Sequence, residues 1–538
     1  MREKFLKWLV IIVGTLSWSV TMVKSAWLYN YGQGFWGANG HDGIWHLALA
    51  NSLAKGNFEN PVFSGISLQN YHLGFDLLLA FLYKLTGIRI DTLYFQVLPP
   101  IFALMIGLLS YKFVYLWTKS TRSSLLSTFF VYFGGSFAWM VGKGESAFWS
   151  TQAISTLINP PYALSLILIL IGLIQLVKRD GRFRIYDLGF MSLIFGSLFL
   201  IKIYAGLLVL GSLFLVVVYE FLLNHKSKFL NLFLITIFIS VVIYFLFNKS
   251  SYGLVVWQPF WFLDNLFGPT QVGWERFNSA LNTYKYGEIW FKAIPAYTLA
   301  LTIFIVGNFG TRILFIFRKV KLDHIHILIY SIIGAGVVIP MFFVQKGTPW
   351  NTIQFFYYSL FFSGLLAGVV VSELFLNRKS LIIILLLATL PTSVITLRDV
   401  YIPSRPPAML PNYEIEALNF LGLQPDGIVL TYPFDKYKAD EAINNPPRPL
   451  YLYESTAYVS AFSNKQVFLE DEVNLNITGY KYGKRKVEIE NFFKNPNPEF
   501  LNRNNIRYIY LVGYQKNWEM DGLEKIFENG EVIIYRYL

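Results

Sequence analysis

Long apolar runs alternate with short polar connectors along most of this chain, and the length of the runs decides what they are. Residues 5–23, 92–117, 125–141, 162–177, 188–201, 204–222, 229–247, 297–316, 326–344, 353–376 and 381–397 are predominantly apolar. A helix needs about 20 such residues to cross a bilayer, so the pattern predicts a polytopic helical membrane protein of about 11 spans. The run 74–88 is shorter and carries Asp76, Lys84 and Thr86, which predicts an amphipathic helix lying in the outer interface rather than a span. The run 5–23 follows Met1-Arg2-Glu3-Lys4 without a small-residue cleavage site, and is read as a retained signal anchor with its N-terminus in the cytoplasm.

Beyond residue 397 the pattern changes. The breaker-rich stretch Ile402-Pro403-Ser404-Arg405-Pro406-Pro407 leads into short helical and strand patterns. Helices are expected at 412–421 and 484–494, and strands at 427–432, 507–512 and 531–537. Their alternation predicts a small α/β domain with a mostly parallel sheet. The expected division is a membrane domain, 1–401, whose first outer loop is 24–91, and a C-terminal extracytoplasmic domain, 402–538.

Charge orients this plan. Basic residues fall in the short connectors 119–122, 178–184, 225–228, 318–321 and 377–379, which the positive-inside rule assigns to the cytoplasm. All the long loops and the tail are then outside. Composition agrees with a membrane protein: 54% hydrophobic, 14% charged and a mean hydropathy of +0.45. The net charge of +12 is spread over connectors, so nucleic acid is not an expected partner. With no cysteine, thiolate chemistry and disulfides are excluded. No phosphate-binding Gly-rich loop of the P-loop type is present.

Candidate chemistry gathers at the outer ends of the spans. Asp42 in Gly40-His41-Asp42-Gly43-Ile44-Trp45-His46 opens a helical pattern, and is either a catalytic base or a helix cap. His46 follows four residues later, on the same helix face. Lys202 sits at the turn of an apolar hairpin, suited to a phosphate or to snorkelling outward. Trp350, Asn351 and Gln354 read as a cavity wall, with capping the alternative for Asn351. Lys143, Glu145 and Asn159 are weaker candidates. Asp76 is read as the wet face of its helix rather than a second active-site acid, and Glu470-Asp471-Glu472 as a surface loop rather than a cation site. The loop bearing Trp257, Trp261, Asp264 and Trp274 reads as an interfacial aromatic belt or a sugar platform.

Four stretches carry a resemblance: GHDGIWHLALANSL (40–53), NYHLGFDLLLAFLYKLTGI (70–88), KGTPWNTIQFFYY (346–358) and STAYVSAFSNKQVFLEDE (455–472). With the span plan, they resemble the GT-C superfamily of membrane glycosyltransferases, which includes protein O-mannosyltransferases, the aminoarabinose transferase of lipid A and oligosaccharyltransferase. The resemblance implies a polyprenyl-phosphate-linked sugar donor, a glycan, lipid or protein acceptor, and inverting transfer at the outer face of the cell membrane. It implies Asp42 as the catalytic residue, with His46, Tyr71, His72, Lys202, Trp350, Asn351 and Gln354 contacting substrate. Asp42 stands alone where the family often has Asp-Glu, so no metal ligand is assigned and a divalent cation is the one cofactor left open. A transporter or flippase of lipid-linked glycans, and a noncatalytic envelope protein, are the rival readings.

Overall fold

Apolar segments surrounded by hydrocarbon must close their backbone hydrogen bonds internally, which favours uninterrupted helices. The computed structural model describes residues 2–247, 255–318, 322–346 and 348–537. Among them, ten helices are long and apolar enough to cross a membrane: Glu3–Val23, Ile90–Thr118, Thr121–Val141, Pro160–Arg179, Ile203–Asn224, Leu230–Phe247, Trp290–Phe317, His324–Phe342, Trp350–Leu374 and Lys379–Tyr401. An eleventh apolar helix, Ile185–Ile201, has 17 residues. These eleven match the expected runs. The basic connector 318–321 lies outside the described residues except for Arg318, as does Gly347 of the 346–358 stretch. The helix expected at 74–88 forms as Gly74–Thr86 and is not among the candidate spans; Gly87, at φ 70, ends it.

The chain divides into two compact units. The first comprises Met1–Thr21, Pro100–Leu246 and Tyr252–Ile402. Its most enclosed helix is Trp350–Leu374, 94% buried over its apolar window. Small residues let neighbours close on it. The Ser127 hydroxyl donates to the Leu365 carbonyl at 2.6 Å, Ser123 and Ser372 bond at 2.5 Å, and a Cβ at Gly368 would strike the Ser127 backbone.

The second unit comprises Met22–Pro99, Phe247–Ser251 and Pro403–Leu538. The loop 24–91, which the sequence reading grouped with the membrane helices, thus packs with the tail. The reason is a shared sheet. Strand Gly32–Phe35 pairs antiparallel with both Leu28–Tyr29 and Ala408–Pro411, and the latter pairs parallel with Arg448–Pro449. Gly32 (φ 124) is required there, because a Cβ would meet the Leu410 carbonyl oxygen.

A second sheet has the strand order Ile428–Thr431, Ile506–Val512, Val532–Arg536, Glu524–Glu528. Only the first pair is parallel. The expectation of a mostly parallel sheet therefore fails. Glu524–Glu528 and Val532–Arg536 form a hairpin, and a connection that short can join only antiparallel strands. Helix Asp42–Ala54 packs in the same unit against Gly74–Thr86 and Tyr458–Ser463.

Candidate active site

Asp42 is the first residue of the helix Asp42–Ala54, and His41 occupies the cap position. An acidic residue in the first turn is favoured by the positive end of the helix dipole. Ile44, Trp45, Leu47, Ala48 and Leu49 are buried, which fixes the helix, while the Asp42 side chain remains 52% exposed. His41 Nδ1 lies 3.0 Å from Asp42 Oδ1, and its Nε2 lies 3.5 Å from Asp471 Oδ1. Burial disfavours a charged imidazole, but the hydrogen bonds and negative charge of Asp42 and Asp471 outweigh it and hold His41 protonated well above the usual histidine range.

Asp471 corrects the sequence reading. The run 470–472 is not a surface loop: Asp471 is fully buried, caps the helix Glu472–Ile477 through the Asn474 amide, and faces His41. Glu470 accepts from the Val459 and Ser460 amides at 2.8 and 3.1 Å, and burial pushes its carboxyl up to about 8. Glu454 is also held above the usual range, by burial first, while the charge of His41 opposes. Glu454 is the residue the sequence reading missed and Asp471 the one it misplaced, and only distance in the chain hid their nearness to His41.

His46 does not pair with Asp42. Its Nδ1 bonds Asp76 Oδ1 at 2.7 Å, and Asp76 is fully buried rather than on a wet face. The helix Gly74–Thr86 turns Asp76 inward together with Phe75 and Leu79, leaving Phe81, Tyr83 and Leu85 exposed. Burial raises the Asp76 carboxyl; the charge and hydrogen bond of His46 oppose this. Tyr94 stacks on His46 at 5.6 Å, and Tyr71 meets Trp45 edge-on. The Tyr71 phenol is pushed well above its ordinary range by burial. His72 stacks on Tyr71 at 4.6 Å.

The first unit contains a separate polar chain. Lys202 breaks the apolar hairpin in an extended conformation (φ −158, ψ 102) between Ile185–Ile201 and Ile203–Asn224. It is 3% exposed, so it does not snorkel to a surface. Its ammonium donates to Asn159 Oδ1 at 3.3 Å. Asn159 Nδ2 donates to Gln354 Oε1 at 3.3 Å, and Gln354 Nε2 to Asn351 Oδ1 at 3.1 Å. Asn351 is not the cap of its helix; Pro349 holds that position. Three residues singled out in the sequence, with the weaker candidate Asn159, thus form one line of contacts.

Trp350 is 40% exposed, with its ring 4.6 Å from Trp149, which meets Trp261 at 5.6 Å. Trp261 and Asp264 hold the loop: the indole donates to the Pro340 carbonyl, and Asp264 accepts from Lys285 and Tyr297. Glu145 is buried, accepts from Ser155 and the Gln152 amide, and is raised by burial to about 7.

A divalent cation does not fit Asp42 as the residues stand. Both ring nitrogens of His41 face carboxylates, so the imidazole takes the place between Asp42 and Asp471 that a cation would need. Among the described residues no group of three or more His, Asp or Glu side chains converges as a metal site.

No protein-family model matches this sequence, and no curated protein matches it. Solved structures do. The oligosaccharyltransferase of Archaeoglobus fulgidus, tethered to an acceptor peptide, superposes with a TM-score of 0.52 at 12% identity, covering 95% of this chain and 69% of that one. The same archaeal enzyme with Zn and sulfate gives a TM-score of 0.50 at 13% identity, covering 93% and 67%. The arabinofuranosyltransferase AftD from Mycobacteria gives 0.53 at 12% identity, over 100% of this chain and 40% of that one. The chain shares the fold of these two enzymes.

Proposed function

We propose that this protein is a membrane glycosyltransferase that moves a sugar from a polyprenyl-phosphate-linked donor to an acceptor at the outer face of the membrane. The observation that carries the reading is the exposed Asp42 carboxylate, held at a helix start by a His41 that keeps its proton. Asp42 accepts the proton of an acceptor hydroxyl or amide as that atom attacks the anomeric carbon. The carbon–oxygen bond to the lipid phosphate breaks, the phosphate leaves with the electron pair, and the configuration inverts. His41, rather than a bound cation, supplies positive charge beside the base.

Within the first unit, Lys202 is the cation suited to a lipid phosphate, in line with Asn159, Gln354 and Asn351, and Trp350 is the exposed aromatic of the same unit. Tyr71 and His72 stand on the acceptor side, while His46, buried against Asp76, braces the Asp42 helix. The basic connectors support an N-terminus in the cytoplasm, with 24–91 and the tail outside. The exposed Phe81, Tyr83 and Leu85 support Gly74–Thr86 lying in the outer interface. The acceptor peptide tethered to the archaeal enzyme of similar fold supports a reaction that uses an acceptor.

The test is transfer from a labelled polyprenyl-phosphate sugar by purified full-length protein in lipid nanodiscs and in vesicles. Wild type is expected to release label from the lipid to an acceptor. Lys202→Gln is expected to raise KM for the donor about 10–100-fold, the loss of a charged hydrogen bond. Label that crosses the vesicle membrane while staying on its lipid would show a flippase instead.

A further inference from the structure

We infer that the second unit carries a distal subsite for a neutral glycan, at the opposite end of the Asp42 helix from the carboxylate. The inference rests on the transferase reading and names its acceptor: a glycan rather than a lipid or a peptide. A cavity of about 510 Å³ opens there, lined by Ser52, Asn57, Ser460, Asn464, Gln466 and Asn505, with Lys55 and Asp426 at its mouth. Its volume lies inside the roughly 300–1,000 Å³ of small-ligand sites.

Every segment bordering this cavity belongs to the same unit. Ser52 lies ten residues beyond Asp42 on the helix Asp42–Ala54, which is about 15 Å along its axis, the reach of a few sugar rings.

The lining is chemically selective. Its charges are already engaged. Lys465 is buried and donates to the Gln424 and Pro425 carbonyls at 2.7 and 3.1 Å, while Lys55 donates to the Asn464 carbonyl at 2.7 Å and to Asp426 at 3.3 Å. Ser52 donates to the Asn57 carbonyl, Asn57 Oδ1 accepts from the Glu59 amide and Gln466 donates to Glu59, which leaves the side-chain amides of Asn464 and Asn505 as the groups open to a ligand. Asn464 and Asn505 are exposed, and no side-chain hydrogen bond is made by either among the described residues. An amide offers a donor and an acceptor side by side, which matches neighbouring hydroxyls on a sugar ring. The apolar lining is confined to Ala48, Pro61 and Ile428, too little for an acyl or prenyl chain. The exposed rim lets a chain enter and leave, as a polymer requires.

The two rim asparagines adopt positive φ, 56° for Asn464 and 52° for Asn505. Glycine accepts that backbone without strain, so Asn464→Gly with Asn505→Gly removes both amides and keeps the fold. The probe is an array of defined neutral tri- to hexasaccharides, with peptides and lipids as controls, read with the detergent-purified full chain. Wild type and the double glycine variant are compared, together with Asp42→Asn. Binding of one or more oligosaccharides, weakened roughly tenfold or more in the double variant and unchanged in Asp42→Asn, supports the subsite.

Binding to no glycan, binding to peptide or lipid alone, or binding indifferent to the double variant overturns it. Transfer that persists without glycan binding sinks the subsite and leaves the transferase reading standing. Glycan binding without any transfer does the reverse.

Discussion

One helix carries two His–Asp pairs of nearly the same geometry and opposite surroundings. At its start, His41 and Asp42 approach to 3.0 Å with the carboxylate half in solvent. One turn on, His46 reaches Asp76 at 2.7 Å with the carboxylate sealed. A base must meet the proton it removes, so only the open pair is suited to chemistry. The sealed pair joins Asp42–Ala54 to Gly74–Thr86 and orients the helix that presents Asp42. Burial, not residue type, separates the two roles.

The comparison breaks most decisively on Asp42→Asn. Asparagine retains the size and suits a helix start, but accepts no proton at neutral pH. Transfer should fall about 10²–10⁴-fold with thermal stability unchanged. Asp76→Asn should do the opposite, destabilising by about 1–3 kcal/mol in thermal or denaturant unfolding while transfer by the folded fraction stays near wild type. Loss of transfer in Asp76→Asn at full stability, with Asp42→Asn active, would exchange the two roles.

His41→Asn sharpens the open pair. Removing a positive neighbour from a carboxylate raises its pKa, so the acid limb of kcat/KM against pH should move upward by about one pH unit. The smallest effect concerns Glu470, a sealed carboxyl held by backbone amides rather than an imidazole. It keeps its proton in the fold up to about 8, against an ordinary value of 4.5. Its contribution is therefore complete below about 4.5 and is lost as pH rises toward about 8. Thermal stability should slope downward across that window in wild type and less in Glu470→Gln; an upward slope in wild type that Glu470→Gln removes would contradict the raised value.

The membrane helices were legible because each is a single run whose length and apolarity are local properties. The connection of Lys202 to Asn159 and Gln354 was partly legible, since lone polar residues in apolar runs announce themselves. Asp76 was misread because its partner lies 30 positions away, and the local pattern cannot tell a solvated carboxylate from a paired one. Asp471 was misread for the same reason at greater range: three consecutive acids look solvated until the chain brings His41 to them. The sheet's direction failed on connection length, which strand patterns do not encode.

The pairing of Phe35 with Ala408 joins strands 373 positions apart, with most of the membrane helices made between them. At about 5–20 residues per second of synthesis, the edge of Gly32–Phe35 waits roughly 20–75 s for its partner. Until then it offers unpaired backbone groups to any neighbouring chain. Loss of Ala408–Pro411 would leave that exposure permanent, so a strand made after the membrane helices acts as a licence for a loop made before most of them.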